Sequence, residues 1–334
     1  MGTLVEEIFS RRLGRTVHAG EIVLLDVDAI MSHDNTTPLA IKAFKEIGKP
    51  IRDASKIVIH FDHAYPAPNQ LAAENQQKIV RFIREQNIDN FYHRGVCHQV
   101  MIEEGYVKPG GVVIGADSHT VTYGALGCFS TGLGSSEIGA AWVTGKTWFK
   151  VPETILVQLE GEAQPGVYSK DVMLHLAGML GMDGATYRSL EFEGSYIDSL
   201  PAHQRIVFAN MSVELGAKCG LIAPDDVTIE YLRGKTKPHP PYERFSAVDP
   251  HYERVIRIDV ATLQPQVACH PDVDQVKPLE EMLGLPVDQV YIGTCTNARY
   301  EDLVIAAGLL KGRQVSRLTR TLGTPAGQTV FEKA

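Results

Sequence analysis

An acid, a hydroxyl and an imidazole stand side by side at Asp117-Ser118-His119. They follow the apolar run Gly111-Val112-Val113-Ile114 and precede a glycine-rich stretch from Tyr123 to Gly134. The apolar run reads as a buried strand, so the triplet falls where a strand ends. In α/β proteins ligands bind at such ends. Two further segments close the same way: Ile57-Val58-Ile59-His60-Phe61 runs into Asp62-His63, and Val290-Tyr291-Ile292-Gly293 runs into Thr294-Cys295-Thr296-Asn297. Imidazoles beside carboxylates suit proton transfer, and a thiol at a strand end can be a nucleophile or a metal ligand. Three such ends predict one active site assembled from distant segments.

Each candidate also has a plainer reading. Asp62-His63 is a functional acid–imidazole pair or a structural one. Asp117-Ser118-His119 is not a hydrolase triad by sequence. It lacks the Gly-x-Ser-x-Gly elbow, and adjacent residues on extended chain face opposite ways, so Ser118 needs a bend to meet His119. His98, next to Cys97, is a buried hydrogen-bonded side chain or a catalytic one. Glu214 sits among apolar residues and either points to solvent or reaches inward to orient a histidine. Cys295 is a core thiol, a metal ligand or a nucleophile. Asn297 could start the helix that follows it, and that helix's amides would favour a thiolate at Cys295.

Stepping outward from the site, helices are expected over 4–14, from an Asn69 cap to Gln86, from Ser135 to Trp148, over Ser169–Leu180, Ile206–Lys218 and Tyr300–Leu310. Strands are expected at Ile22–Val27, Thr154–Leu159, Ser189–Glu193, Arg254–Val260 and Val287–Ile292. Lys235–Pro250 is expected to be a loop, punctuated by Pro238, Pro240, Pro241 and Pro250. The pattern predicts an α/β fold in three parts: 1–150, 151–275 and the start of a third at 276–334. The 334 residues carry a net charge of −8, which disfavours nucleic-acid binding. No apolar run is long enough to span a membrane, and the acidic N-terminal segment is not a secretory signal. The five cysteines are scattered, with no Cys-x-x-Cys, which points to a reducing cytoplasm rather than a disulfide framework. The glycines match neither a dinucleotide fingerprint nor a P-loop.

Taken together, the segments resemble the family of 3-isopropylmalate dehydratase and homoaconitase large subunits, in the aconitase superfamily. The resemblance runs through Phe61-Asp62-His63, Arg94 to Val100, Lys108-Pro109-Gly110, Gly115 to Trp148, Asn210 to Glu214 and Gly293 to Asp302. It implies aconitase-like three-layer α/β domains. It also implies a hydro-lyase that isomerises 2-isopropylmalate and 3-isopropylmalate through a dehydrated intermediate in leucine biosynthesis, with homoaconitate or another 2-alkylmalate as the runner-up substrate. A [4Fe-4S] cluster with one open iron is implied, and Cys295 matches one of its three cysteine ligands. Asp62, His63, His98, Asp117, Ser118, His119 and Glu214 match catalytic positions, with His98 and Glu214 as a pair. His33, with Asp34 beside it, Asn210 and Asn297 fall at substrate-contacting places. The base is implied to come from a small swivelling partner subunit.

The sequence departs from that family at its end. The family's other two cluster cysteines lie in a downstream Cys-x-x-Cys segment, which is not reached by Ala334. The expectation is a large subunit cut short, its third domain partial. An inactive remnant lacking the cluster is then the alternative, and the acidic balance disfavours an RNA-binding role for it.

Overall fold

The computed structural model describes residues 2–235, 237 and 242–334. Its frame is a five-stranded parallel sheet in the order Phe91–Tyr92, Ile57–His60, Ala29–His33, Val112–Gly115, Phe129–Gly132. The inner strands are apolar on both faces because helices and neighbouring segments cover both. The chain winds outward from Ala29–His33 in one direction, then returns to its other side with Val112–Gly115. The crevice at that reversal lies between the ends carrying His33-Asp34 and Ala116-Asp117, where an open parallel sheet takes its ligand.

A second parallel sheet orders Cys219–Leu221, Ser189–Glu193, Thr154–Glu160 and Arg254–Asp259. A third is a parallel pair, Gln289–Ile292 with Arg320–Gly323. The architecture is thus α/β, as the sequence pattern predicts. The first two sheets share their cores: Met31, Val58 and Val113 are buried in one cluster with Val157, Phe192, Phe208 and Ile256. Cys219, Leu221 and Phe245 in turn join the cluster built on Phe9, Ile30 and Trp142. Asn69 caps the Gln70–Gln86 helix as expected, its side chain accepting from the Ala72 amide at 2.9 Å.

Two expected helices end early or start elsewhere. The helix from Ser135 stops at Thr144, because Gly145 adopts a left-handed conformation (φ 67°), and Lys146–Lys150 turns back as a strand paired with Ile22–Asp26. The Ile206–Lys218 helix is in fact Ala202–Met211, followed by a 3₁₀ turn at Ser212–Leu215 that Gly216 closes at φ 79°. Pro238, Pro240 and Pro241, expected in a loop, lie outside the described residues. Among the described residues, no helix is long and apolar enough to cross a membrane.

Candidate active site

Asp117 organises the site. It follows the Val112–Gly115 strand and accepts the His119 amide at 2.7 Å, so it caps the 3₁₀ segment Ser118–Leu126. That turn supplies the bend that extended chain lacks, and Ser118 Oγ comes to 3.2 Å from His119 Nδ1. The bend that Ser118 needs to meet His119 is thus present, because the chain turns into a 3₁₀ segment from Ser118 onward. The same carboxylate collects three imidazoles: His98 Nε2 at 3.0 Å, His63 Nε2 at 3.3 Å and His33 Nε2 at 3.5 Å.

His63 is held on both sides. Its Nδ1 lies 2.8 Å from Asp62 Oδ1, and its ring stacks on His33 at 3.7 Å between centroids. The hydrogen bond to Asp117, and then that to Asp62, raise its pKa to about 10. Burial would raise both carboxyls, yet the His63 bond holds Asp62 well below the usual range, and the His63 and His98 bonds do the same for Asp117. Burial, then the charge of His63, pull His33 down to about 4. The pocket thus sets a protonated imidazole against a neutral one.

The loop that carries Asp62-His63 is pinned from below. Asp34 accepts the amides of Asp62, His63 and Ala64 at 3.3, 3.1 and 2.7 Å. Asp62 accepts the Cys97 amide at 2.6 Å. Tyr123, whose hydroxyl meets His98 Nδ1 at 3.1 Å, was not singled out from the sequence, and Asp34 was noted only beside His33 as a substrate contact, not as the anchor of this loop. The signal for Asp34 was present: it stands just past the Ala29–His33 strand much as Asp62 stands past Ile57–His60.

Glu214 reaches inward, but to a different partner from the expected one. Its Oε1 lies 3.1 Å from His119 Nε2, and that bond lowers its pKa. His98 pairs with Asp117 instead. The expected His98–Glu214 pair is corrected for a physical reason: the 3₁₀ turn swings His119, not His98, toward the Ser212–Leu215 turn.

Cys295 joins the same region through Asn210. Asn210 Nδ2 donates to Cys295 Sγ at 3.4 Å and to Thr122 Oγ1 at 2.8 Å, and Thr296 Oγ1 donates to Asn210 Oδ1 at 2.7 Å. Burial raises the Cys295 thiol, and the charge of Asp117 adds to the effect. The expected help from helix amides is absent, because the helix starts at Tyr300 with Arg299 as its cap. Asn297 caps nothing. It donates to Asp302 at 3.0 Å and lines a separate cavity with Lys170 and Gly293.

Two groups of donors lie close enough to share a cation: His33, Asp34, Asp62 and His63, and Cys97, His98 and Asp117. Hydrogen bonding already accounts for both. The Cys97 thiol is fully buried, and burial pushes its pKa well up. All five cysteines are free.

Residues 6–334 match the aconitase family (aconitate hydratase). The chain is 44% identical to the "3-isopropylmalate dehydratase large subunit 1" of Methanopyrus kandleri, over 99% of this chain and 80% of that protein. It is 45% identical to the "Probable 3-isopropylmalate dehydratase large subunit" of Methanothermobacter thermautotrophicus, over 99% and 80%. It is 44% identical to the "Probable methanogen homoaconitase large subunit" of the same organism, over 99% and 79%.

Proposed function

The chain belongs to the aconitase family, and from that premise we propose that it serves as the large subunit of a 3-isopropylmalate dehydratase. The reaction is a reversible loss and regain of water that moves the hydroxyl of a 2-alkylmalate to the neighbouring carbon. Homoaconitate is the second candidate substrate, since relatives carrying that name are equally similar.

The observation that carries the mechanism is His63, whose pKa is raised to about 10 while its side chain stays 37% exposed. It holds a proton at neutral pH and is partly open to solvent between Asp62 and Asp117. Hydroxide is a poor leaving group, so the C–O bond breaks as His63 passes that proton to the departing oxygen, which leaves as water. Asp62 and Asp117 keep the imidazole oriented and re-stabilise its charge when the proton returns in hydration. Ser118, His119 and Glu214 form a second hydrogen-bonded chain beside it. The proton on the adjacent carbon is left to a base on a small partner subunit.

The family resemblance implies a [4Fe-4S] cluster, whose open iron supplies Lewis acidity toward a hydroxyl and a carboxylate when bound. A cubane with one open iron needs three thiolates. Among these residues Cys295 is the one cysteine that is both at the site and partly exposed, since Cys97 is sealed in the core. The donor set thus fits one corner of the cluster and not a complete cradle, and no step here is routed through it. The scattered free cysteines suit a reducing cytoplasm.

Interconversion of 2- and 3-isopropylmalate, followed chromatographically with the chain reconstituted anaerobically beside a dehydratase small subunit, tests the reading. Activity on isopropylmalates above that on homoaconitate is expected, and the reverse order would make homoaconitate the substrate. His63→Asn should cut turnover about 10²-fold or more with the fold intact. Unchanged turnover would remove His63 from the mechanism.

A further inference from the structure

Asp117 and Ser118 line a cavity of about 650 Å³, a size typical of small-molecule sites. Lys218 lines the same cavity. Its side chain is half-buried, just before the Cys219–Leu221 strand. Its Nζ donates to the Gly132 carbonyl at 3.4 Å and lies 5.7 Å from the Tyr187 ring centroid. Among the described residues it makes no ion pair within 4.0 Å, unlike Lys108 and Lys146. Glu137, which lines the same cavity, is the carboxylate whose charge it feels most; it accepts the Gly134 amide at 2.8 Å and lies beyond ion-pair distance of Lys218.

An ammonium half withdrawn from water without a carboxylate carries an uncompensated desolvation cost, so an arriving anion gains more there than at an exposed lysine. Two surroundings add to this. Gly134 and Ser135, at the amino end of the ten-residue Ser135–Thr144 helix, line the cavity, where Glu137 meets only part of the positive end of the helix dipole. The charge of Asp117, which would repel an anion, faces the protonated His63 at 3.3 Å. Leu133 and Val213 leave the remainder of the cavity partly apolar.

We propose that the Lys218 end of this cavity is a carboxylate-binding subsite that opens off the Asp117–Ser118 site. It takes one carboxylate of the hydroxy-diacid substrate or, from the other source of the same chemistry, an acidic side chain of the small subunit. The inference rests on the hydro-lyase reading for the identity of the diacid, but its test does not require turnover.

Isothermal titration of the full chain reads it, with 3-isopropylmalate, with the one-carboxylate analogue 2-hydroxy-4-methylpentanoate, and with a dehydratase small subunit as probes. If the substrate is the source, Lys218→Met weakens the diacid about tenfold or more and leaves the monoacid unchanged. If the partner is the source, Lys218→Met leaves the diacid alone and weakens the small subunit by a similar factor. In either case Lys218→Arg should hold within about threefold of the wild type, because the charge is kept. The proposal is overturned if Lys218→Met changes neither affinity while its circular dichroism matches the wild type. It is equally overturned if Lys218→Arg loses as much as Lys218→Met. Either result leaves the dehydratase reading standing, which the interconversion assay decides separately.

Discussion

His63 owes its character to two carboxylates on different strands. Asp62 is its chain neighbour, but Asp117 arrives from 54 positions later, and its bond contributes most to the raised pKa. A carboxamide in place of Asp117 keeps the shape and removes the charge. Asp117→Asn should therefore lower the His63 pKa from about 10 by about 1 to 2 units, read from the ring proton shifts in a ¹H–¹³C NMR titration. An unaltered midpoint would mean that Asp62 alone sets the proton affinity. Sequence adjacency gave the Asp62–His63 pair directly. It could not give the Glu214–His119 pair, because which of His98 and His119 meets that acid depends on the direction of a 3₁₀ turn, and no local pattern fixes that direction.

That turn is the element on which the site depends. The Ser118–Leu126 segment is wedged between the first sheet and the Cys219–Leu221 strand, and Gly124 is its closest approach to that strand. A methyl group at Gly124 would sit 1.8 Å from the Gly220 carbonyl oxygen. Backbone cannot yield as a flexible side chain does, so Gly124→Ala should destabilise the protein by about 2 to 4 kcal/mol, measured as a lowered urea midpoint. A midpoint within error of the wild type would show that the two segments separate at little cost. The strands themselves were readable: Ile57–His60 and Val112–Gly115 are continuous apolar runs closed by polar residues, the signature of parallel strands buried on both faces. The end of the Ser135–Thr144 helix was harder to read, because Thr147, Trp148 and Phe149 extend the apolar pattern past Gly145. The left-handed glycine, not hydropathy, sets the boundary. The tertiary packing that makes Gly124 necessary leaves no mark in a glycine-rich run where any glycine could be the tight one.

At the scale of the whole molecule, buried ionisable groups set how stability follows pH. Burial depresses His33 to about 4 and His60 to about 3. Both ring nitrogens of His60 lack a hydrogen-bond partner among the described residues. A histidine with a depressed folded pKa leaves stability intact above its unfolded value and removes it as pH falls, so both act between about 6.5 and 4. Glu191 opposes them: burial raises it to about 8, so its stabilising protonated form is lost as pH rises from about 4.5 through 8. His63, raised to about 10, likewise contributes fully below about 6.5 and loses that contribution as pH climbs, though its exposure weakens the effect. Below 6.5 His33 and His60 pull one way, joined by the burial-lowered His175 and His203, and Glu191 pulls the other, while above 6.5 the Glu191 and His63 contributions both fall. Stability should therefore peak near pH 6.5, with each proton worth on the order of 1.4 kcal/mol per pH unit. His60→Phe, which keeps a ring against Tyr92 and cannot take a proton, should remove one of the acid-side protons. Urea denaturation at pH 4.5, 5.5 and 6.5 reads the slope. The wild type should lose stability steadily toward pH 4.5, and the variant should lose less, because one buried proton acceptor is gone while His33, with the burial-lowered His175 and His203, remains against Glu191. An acid limb equally steep in both proteins would mean that His60 is protonated inside the fold, and that its burial beside Tyr92 does not exclude charge.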